Sequence, residues 1–309
     1  MADRLDPVAA GLVLGYVADR VWGDPQRWHP VAGFGGLASR LETCCYAPTR
    51  VRGAAHEIVL VAGAVTLGML PQRLPVAAQT PLVALATWVV LGGRSLEREA
   101  MSVHDLADAG DLAGARHRVR SLVGRDPSTL DGDGLARACV ESLAENGSDA
   151  VVAPLFWGGL LGVPGLLGYR AINTLDAMVG HRSERYRDFG WAAARVDDVA
   201  NLLPARLATA IAVVLSGRRA PQVWRVVRRD APAHPSPNGG LVEAAAAGHL
   251  GVSLGGSNAY GGVIEDRGRL GDGPPATLAD VPRAVALTRR VSLVALAAAV
   301  GVRLVLRRG

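Results

Sequence analysis

Residues 150–169 read AVVAPLFWGGLLGVPGLLGY, an almost wholly apolar stretch that is long enough to cross a bilayer as a helix. Two prolines and several glycines lie inside it, including Pro154, Pro164 and Gly165, and such residues interrupt the hydrogen bonds of a helix. The stretch is therefore either a straight span or a broken, re-entrant segment that is covered by other parts of the protein.

Further apolar stretches occur along the 309-residue chain, in which half of the residues are hydrophobic. Two of them, joined by the turn PQRLP, are typical of a pair of helices. The pattern predicts an all-α, multi-pass integral membrane protein with four to six membrane segments and with helical and loop regions on the cytoplasmic side. A soluble protein with buried helices is the alternative. The apolar stretches besides residues 150–169 are residues 7–21, 58–70, 76–93, 202–215 and 291–306, and the pair joined by PQRLP is 58–70 and 76–93.

The whole chain is predicted to form one membrane-embedded unit. The polar regions between the apolar stretches divide this unit into consecutive segments. An amphipathic helical hairpin, split at Gly110, is predicted to lie outside the lipid and to precede an acidic helix. A later region rich in Gly and Pro predicts loops around short helices. The resulting segments are residues 1–93, 94–149, 150–216, 217–290 and 291–309.

The basic residues of the chain exclude two kinds of chemistry. All 33 of them are Arg, so the chain has neither the lysine of a Walker-type phosphate loop nor a lysine for a Schiff base. Binding of phosphate then requires Arg, backbone amides or a metal ion. Nucleic-acid binding is not expected despite the net charge of +5, because the Arg residues are scattered among Asp and Glu.

The stretch ESLAENGSD places three carboxylates directly before the interrupted apolar segment. Glu141, Glu145 and Asp149 are spaced at i, i+4 and i+8, so one continuous helix would bring them to the same face. Like charges at this spacing repel one another, and Mg²⁺ bound together with phosphate oxygens is one way to compensate them. The alternative is a solvated helix face that pairs with Arg137 and other guanidinium groups.

A second polar cluster, AINTLDAMVGHRSERYRDFGW, covers residues 171–191. Asn173 and Asp176 share a helix face, and basic and acidic residues alternate after them, which favours a buried ionic network over an anchor for anionic lipid. If residues 150–169 cross the membrane fully, this cluster and ESLAENGSD lie on opposite sides. We expect the two clusters to converge, as a re-entrant segment allows.

Two proline-rich stretches contain histidines that are candidates for a general base or a metal ligand. GDPQRWHP contains Asp24 and His29, and RDAPAHPSPNGG contains His234 and Ser236. A hydrogen-bonded structural histidine is the alternative in each case. The Gly-rich stretch GVSLGGSNAYGG has backbone amides for an anion, but no strand is predicted before it and it does not by itself identify a nucleotide loop.

The residues and the order of these motifs resemble those of the adenosylcobinamide-phosphate synthase family of cobalamin biosynthesis, also called the CbiB/CobD family. The resemblance covers about residues 19–262. Small departures, such as ESLAEN where the family often has ESVAEN, remove no carboxylate or amide. The strings that carry the resemblance are GDPQRWHP, LVGRDPSTLD, ESLAENGSDAVVAPLFW, INTLDAMVGHRSERYRDFGWAAARVDD, NLLPARL and RDAPAHPSPNGG followed by GGSNAYGG.

The resemblance implies a multi-pass enzyme of the cell membrane whose active site faces the cytoplasm. Such an enzyme joins the free carboxylate of adenosylcobyric acid to the amine of (R)-1-amino-2-propanol or its O-phosphate, giving adenosylcobinamide or its phosphate. ATP and Mg²⁺ are the expected co-substrate and ion, with no prosthetic group. Membrane lipid and other membrane-associated enzymes of cobalamin assembly are the expected partners. The competing functions are a multi-pass transporter and a non-catalytic membrane scaffold for corrinoid enzymes.

The resemblance suggests catalytic, substrate-binding and metal-binding roles for polar residues of the quoted motifs. The residues expected to act in catalysis are Glu141, Glu145, Asp176 and His234. Those expected to bind substrate or phosphate are Arg125, Asn146, Asn173, Arg185, Arg187, Ser236, Asn238 and Asn258. The expected magnesium ligands are Glu145, Asp149, Asp176 and Asp188. Further candidates are Asp24, His29, Asp126, Glu184, Tyr186, Asp197 and Asp198.

Overall fold

A computed structural model describes residues 6–25, 29–124, 126–181, 183–260 and 263–307, excluding the side chains of residues 257–260 and 263–265. The described residues form α-helices and one two-stranded hairpin. The helices are α1 (Pro7–Trp22), α2 (Pro30–Cys45), α3 (Arg50–Met69), α4 (Val76–Val90), α5 (Gly93–Asp108), α6 (Leu112–Val119), α7 (Gly132–Gly147), α8 (Ala153–Leu161), α9 (Val163–Val179), α10 (Trp191–Leu215), α11 (Ala220–Asp230), α12 (Gly239–Leu250) and α13 (Asp280–Leu306); the strands are β1 (Leu254–Tyr260) and β2 (Val263–Leu270).

The chain divides into two compact units, and each takes residues from several parts of the sequence. The first consists of Met1–Gly92, Ala153–Asn201 and Leu296–Gly309. The second consists of Gly93–Val152 and Leu202–Ala295. Because α10 and α13 each contribute to both, the predicted division into consecutive segments does not coincide with the compact units.

Small residues let the helices of the first unit approach closely. Gly11 and Gly15 of α1 lie against α4, where an added Cβ would overlap Val83 and Thr87. Helix α3 packs mainly along α9. The predicted pair of helices at residues 58–93 is present and is joined by the 3₁₀ turn Leu70–Arg73, but its members pack chiefly on α9 and α1 rather than on each other.

The interrupted apolar stretch is broken. A π-turn, Ser148–Val152, precedes α8, which is nine residues long and therefore far too short to cross a bilayer core of about 30 Å. Gly162 then takes a φ of 70°, and α9 begins with Pro164 in its first turn. Helix α8 packs back on α9, so the broken alternative is confirmed over a straight span.

The second unit contains the predicted amphipathic hairpin, α5 and α6, with Gly110 at a φ of 83° between them. Helix α7 packs on α5 and α12, and α11 packs on α12. The region predicted as loops around short helices also contains the antiparallel pair β1–β2, which the sequence pattern did not predict. The last helix begins at Asp280, well before the predicted apolar segment at residue 291.

Four helical stretches of the described residues are long and apolar enough to cross a membrane: Arg50–Arg73, Val76–Asp108, Trp191–Leu215 and Asp280–Leu306. In the second of these, α4 supplies the apolar part, because α5 is amphipathic. Large apolar side chains of α3, among them Ile58, are mostly exposed, as expected of a surface that contacts lipid. The protein is an all-α multi-pass membrane protein, as the sequence predicted.

Candidate functional site

The loop between α11 and α12 fixes the imidazole ring of His234, which is buried in the second unit. His234 Nδ1 lies 3.1 Å from the backbone nitrogen of Ser236 and 3.3 Å from its carbonyl oxygen, so the backbone of Ser236 holds the ring through this atom. Burial lowers the pKa of His234, and the nearby guanidinium of Arg267 lowers it further. His234 is therefore neutral near pH 7.

A fully buried carboxylate, Glu243 of α12, faces this ring. Its Oε1 lies 3.6 Å from His234 Nε2 and 3.7 Å from an Nη1 atom of Arg267 on β2. A buried charge is tolerated when groups of opposite charge and donors surround it. Neither Glu243 nor Arg267 was predicted as a site residue. The available signal was a single carboxylate within the otherwise apolar stretch LVEAAAAGHL.

Glu141 connects α7 to the hairpin. Its Oε1 accepts a hydrogen bond from the backbone N–H of Gly255 over 2.8 Å and lies 4.0 Å from the guanidinium of Arg137, which donates to the Gly255 carbonyl. Gly255 has a φ of 78°, and a Cβ there would overlap the carbonyl of Gly268. The backbone amide of Gly255 in the Gly-rich stretch is thus used to bind a protein carboxylate.

Glu145 lies one turn after Glu141 and is half-buried. A Cβ added to Gly239, the first residue of α12, would lie 2.8 Å from Glu145 Oε1 and 3.2 Å from His234 Cε1, so these groups meet at the start of α12. The structure thus brings Glu141, Glu145 and His234 together. We call this group, with Glu243 and Arg267, the His234 cluster.

Asp149, the third carboxylate of ESLAENGSD, lies in the π-turn that follows α7. The prediction that the three carboxylates share one face assumed the rotation per residue of a continuous α-helix, and a π-turn changes that rotation. The α-helical spacing therefore does not place Asp149 beside Glu145, and its role as a magnesium ligand stays a prediction.

Three polar residues expected to bind substrate make contacts within the second unit. Ser236 Oγ accepts hydrogen bonds from the backbone N–H groups of Asn238 and Gly239, at the point where α12 begins. Asn238 is itself buried. The amide of Asn146 donates to Ser142 Oγ over 2.7 Å, which ties together two turns of α7. These contacts explain the local structure, and substrate binding by these residues stays a prediction.

A second acidic cluster lies in the first unit and is contributed by α3, α9 and α10. Asp197 is held by two amides: Asn173 Nδ2 lies 3.4 Å from one carboxylate oxygen and Asn201 Nδ2 lies 3.0 Å from the other. The hydroxyl of Tyr169 donates to Asn201 Oδ1 over 2.8 Å and orients that amide. Asn173 and Asp197, both predicted site residues, are therefore in one network.

Glu57 of α3 adds a buried carboxylate to this cluster. Only 3% of the residue is exposed, and neither carboxylate oxygen has a hydrogen-bond partner among the described residues. Asp176 and Asp197 interact with it electrostatically. One turn earlier, Gly53 lets α3 approach the backbone of Phe189, where a Cβ would overlap the carbonyl. We call Glu57, Asp176, Asp197, Asn173 and Asn201 the Glu57 cluster.

Glu57 was not predicted as a site residue, because a carboxylate near the beginning of a helix is common at the boundary of an apolar segment. The available signal was its position directly before the apolar residues 58–70.

The family model for the CobD/Cbib protein matches residues 12–288. This chain belongs to the CobD/Cbib family. The cobalamin biosynthesis protein CobD of Mycobacterium tuberculosis strain H37Rv is 50% identical, over 97% of this chain and 96% of the relative. The proteins of the same name from Chromobacterium violaceum and Rhizobium meliloti are 47% and 42% identical, over 90% and 89% of this chain and 91% and 90% of those relatives. No solved structure matches.

The family resemblance expected from the motifs is therefore confirmed over most of the chain. Membership in the CobD/Cbib family connects the protein with cobalamin biosynthesis.

In this CobD/Cbib chain, the charged residues 183–188 include an ion pair with Glu42, which was not predicted, and the Arg185 side chain is half exposed rather than part of a buried network. Arg185 donates to Glu42 Oε1 over 2.9 Å, which raises the pKa of Arg185, and the Tyr186 hydroxyl donates to the same oxygen. Arg187 and Glu184 are exposed. Clamping of phosphate by Arg185 or Arg187 stays a prediction.

Asp188, an expected magnesium ligand of this CobD/Cbib chain, forms an exposed ion pair with Arg50. Its Oδ1 lies 3.4 Å from Arg50 Nε. Among the described residues, no three His, Cys, Asp or Glu side chains lie close enough to hold one metal ion. Mg²⁺ beside a nucleotide is commonly held by one or two carboxylates and by phosphate oxygens, so Glu145 still fits such a role.

His29 has a structural position in the first unit. Its Nδ1 accepts a hydrogen bond from the N–H of Val31 and so caps α2. Burial lowers the pKa of His29, and the charge of Arg170 acts in the same direction, whereas Asp24 raises it. With Nδ1 engaged, only Nε2 of this ring is available for other contacts.

The remaining predicted residues are at the surface or outside the described part of the chain. Asp126 is exposed, and the N–H of Ser128 donates to it, which lowers the pKa of Asp126. Asp198 pairs with Arg195 over 3.3 Å. Arg125 and the side chain of Asn258 lie outside what the structure describes.

Proposed function

We propose that this CobD/Cbib protein joins the free carboxylate of adenosylcobyric acid to the amine of 1-amino-2-propanol or its O-phosphate in an ATP-dependent reaction. The observation that supports this best is the His234 cluster, in which ionisable side chains from α7, α12, β2 and the preceding loop meet in one unit. Glu141, Glu145 and His234 belong to the motifs that resemble the amide-forming family, and the relatives are named for cobalamin biosynthesis.

The proposed chemistry has two steps. A carboxylate oxygen of the corrinoid attacks the γ-phosphorus of ATP, which forms an acyl phosphate and releases ADP. The amine nitrogen then attacks the acyl carbon, the phosphate leaves with the electrons of the C–O bond, and the nitrogen loses a proton. Both steps require in-line positioning and neutralisation of negative charge more than covalent participation of the protein.

Exposure divides the roles within the His234 cluster. The His234 and Glu243 side chains are fully buried, so we assign them the positioning of the groups around them. Arg267 is partly exposed and is the guanidinium of the cluster that we assign to phosphoryl oxygens. Mg²⁺ would neutralise phosphate charge in this reaction, and Glu145, the half-buried carboxylate, is the residue we assign to hold it together with phosphate oxygens.

Histidine is a poor choice for the base that receives the proton of the amine. The Nδ1 atom of His234 is occupied by the backbone of Ser236, its side chain is fully buried, and the lone pair of His29 Nδ1 accepts the Val31 N–H. We therefore assign proton acceptance to a carboxylate.

The test uses the purified full-length protein in detergent, with adenosylcobyric acid, ATP, Mg²⁺ and 1-amino-2-propanol or its phosphate. We expect one ADP per amide formed, both measured by liquid chromatography with mass detection. Glu145→Gln should lower turnover at least 100-fold, whereas Glu99→Gln, a surface carboxylate paired with Arg118, should retain it. No amide from the wild-type protein alone would reject the function in favour of a scaffold or transporter, and full turnover by E145Q would reject the assigned site.

For localisation, we propose the cell membrane with the His234 cluster on the cytoplasmic side, where ATP is available. The four apolar helical stretches support a membrane location. A single cysteine at Asp272, an exposed residue near the hairpin, should react with an impermeant maleimide only after cells are opened. The three native cysteines must first be replaced. Labelling in intact cells would contradict this orientation.

A further inference from the structure

The first unit contains an apolar pocket of about 540 Å³ that is lined by residues of α2, α3, α4 and α9. Cavities of about 300–1,000 Å³ are the usual size of small-molecule sites in proteins. All of its lining residues belong to the first unit, whereas the members of the His234 cluster belong to the second. The pocket therefore shares no residue with the site that we assign to amide formation.

The rim of this pocket is continuous with the surface that contacts lipid. Val59 and Leu67 of α3 are each 59% exposed, Leu37 of α2 is 56% exposed, and all three line the pocket. Helices α3 and α4 belong to stretches that are long and apolar enough to cross a membrane. Apolar side chains that are exposed on such helices contact acyl chains, so an acyl chain is the molecule that meets the opening of the pocket.

A glycine in the wall keeps the pocket open. A Cβ added to Gly63 would have no atom within 4 Å, whereas a Cβ on Gly68 of the same helix would overlap the backbone of Pro164. Close packing of α3 on α9 thus explains Gly68, but it does not explain Gly63. The small side chains at Gly63 and Ala64 leave room that a larger apolar residue would fill.

The polar groups of the lining lie on α9. Among the described residues that line the pocket, Arg170 and Thr174 are the polar ones, and the Thr174 hydroxyl donates to the Arg170 carbonyl over 2.7 Å. The charged group of the lining is the guanidinium of Arg170. The pocket also reaches Val90, the last residue of α4, and charged residues begin soon after it at Arg94 of α5. This part of the pocket therefore lies near the end of an apolar span, where lipid headgroups are found.

We propose that this pocket holds one acyl chain of an anionic phospholipid, with the lipid phosphate beside Arg170. A guanidinium group binds phosphate oxygens through charge-assisted hydrogen bonds, and basic pockets between membrane helices are suited to anionic headgroups. A polar substrate fits the pocket poorly, because its polar groups would face walls that cannot hydrogen-bond to them.

The experiment is native mass spectrometry of the purified full-length protein in micelles that contain equal amounts of dioleoyl phosphatidylglycerol and dioleoyl phosphatidylcholine. We expect the wild-type protein to retain one lipid per chain, mostly phosphatidylglycerol, at collision energies that remove detergent. Gly63→Leu should lower this occupancy about fivefold or more, because the added side chain fills the pocket. Leucine favours a helix more than glycine does, so the variant should fold. Ala64→Leu, expected to have the same effect, serves if it does not.

Gly301→Leu is the matched control. Gly301 lies on α13, another apolar helix, is exposed, and has nothing within 4 Å of an added Cβ, so this variant should retain the lipid. Arg170→Gln should still bind a lipid but should lose the preference for phosphatidylglycerol about threefold or more.

Three results would overturn the proposal. The first is an unchanged lipid occupancy in both G63L and A64L. The second is equal retention of the two lipids by the wild-type protein, which would reject the anionic headgroup. The third is a wild-type dimer without bound lipid that G63L converts to a monomer, because the pocket would then be an interface between two copies of the chain.

Discussion

Two buried glutamates of this protein have opposite surroundings. Glu243 in the second unit faces His234 and Arg267, at 3.6 and 3.7 Å. Glu57 in the first unit interacts electrostatically with Asp176 and Asp197 and has no hydrogen-bond partner among the described residues. Both residues are at most 3% exposed.

This difference separates a carboxylate that stabilises the fold from a carboxylate that is available to bind a cation. Removing a buried carboxylate that faces a guanidinium group leaves that group without its counterion, which destabilises the fold. Removing a carboxylate that lies near other carboxylates relieves electrostatic repulsion and the cost of desolvation, so the free energy of unfolding increases. Any cation that bound there is lost. The sign of the stability change is therefore the most direct way to test the comparison.

The largest expected effect is on Glu243. Glu243→Leu should lower the free energy of unfolding by about 3 kcal/mol or more, because Arg267 loses its buried counterion. Glu57→Gln should leave the thermal midpoint unchanged or raise it. Thermal unfolding in detergent, followed by near-UV circular dichroism, measures both. A loss of similar size in E57Q would show that the two glutamates do not differ in this way.

A glycine substitution tests how the His234 cluster is held. Gly255→Ala should cost about 1–3 kcal/mol, because the residue has a φ of 78° and its Cβ would overlap the Gly268 carbonyl. The shift of β1 should also weaken the hydrogen bond to Glu141 and lower turnover. Gly110→Ala, with a φ of 83° but nothing within 4 Å of its Cβ, is the matched control and should retain turnover. Equal effects on turnover would contradict the assigned role of the hairpin.

The pH dependence of stability should come in part from the second unit. Burial lowers the pKa of His234 and His249 in the folded protein, so the unfolded chain binds their protons more readily. The stability they contribute is present above the unfolded pKa of about 6.5 and is lost as the pH falls toward the lower folded values. The thermal midpoint should therefore decrease from pH 7.5 to pH 5.5.

Variants identify the histidines responsible. His249→Gln should make this decrease smaller, because His249 is half-buried against Ser216, whose Oγ lies 2.7 Å from Nδ1. The exposed His117→Gln should leave the decrease unchanged. A decrease that is the same in both variants would assign the pH dependence to other groups.

The smallest expected effect is at Asp188. Asp188→Asn removes an exposed pair with Arg50 and should change the free energy of unfolding by less than about 1 kcal/mol. Turnover should stay within about threefold of wild type, an estimate that follows from the surface position. A loss of two orders of magnitude would instead support the predicted role of Asp188 as a magnesium ligand. Arg50→Gln controls for loss of the pair.

Much of the fold was predictable because it follows from apolar length and from strong local signals. The interrupted stretch contains the prolines and glycines that break it, although the residue with a positive φ is Gly162. The amphipathic pair separated by Gly110 was also correct. The β1–β2 hairpin was not predicted, because its glycine-rich strands have low strand propensity and their pairing depends on contacts with other elements.

The site was predictable only where motifs contained it. Glu141, Glu145 and His234 were selected from their motifs and do lie together. Glu57 and Glu243 were missed, because each is a single charge in a mainly apolar context and neither belongs to a periodic pattern of polar residues.

The class of the protein, its family and the exclusion of lysine chemistry were apparent before the structure, since they depend on composition, on the length of the apolar stretches and on the residues of the motifs. The different surroundings of Glu57 and Glu243 became apparent from the folded structure alone. The energy of a charge depends on its burial and on the distances to its neighbours, which no local pattern contains. Helix packing sets those distances between residues far apart in the chain, such as Glu57 and Asp197.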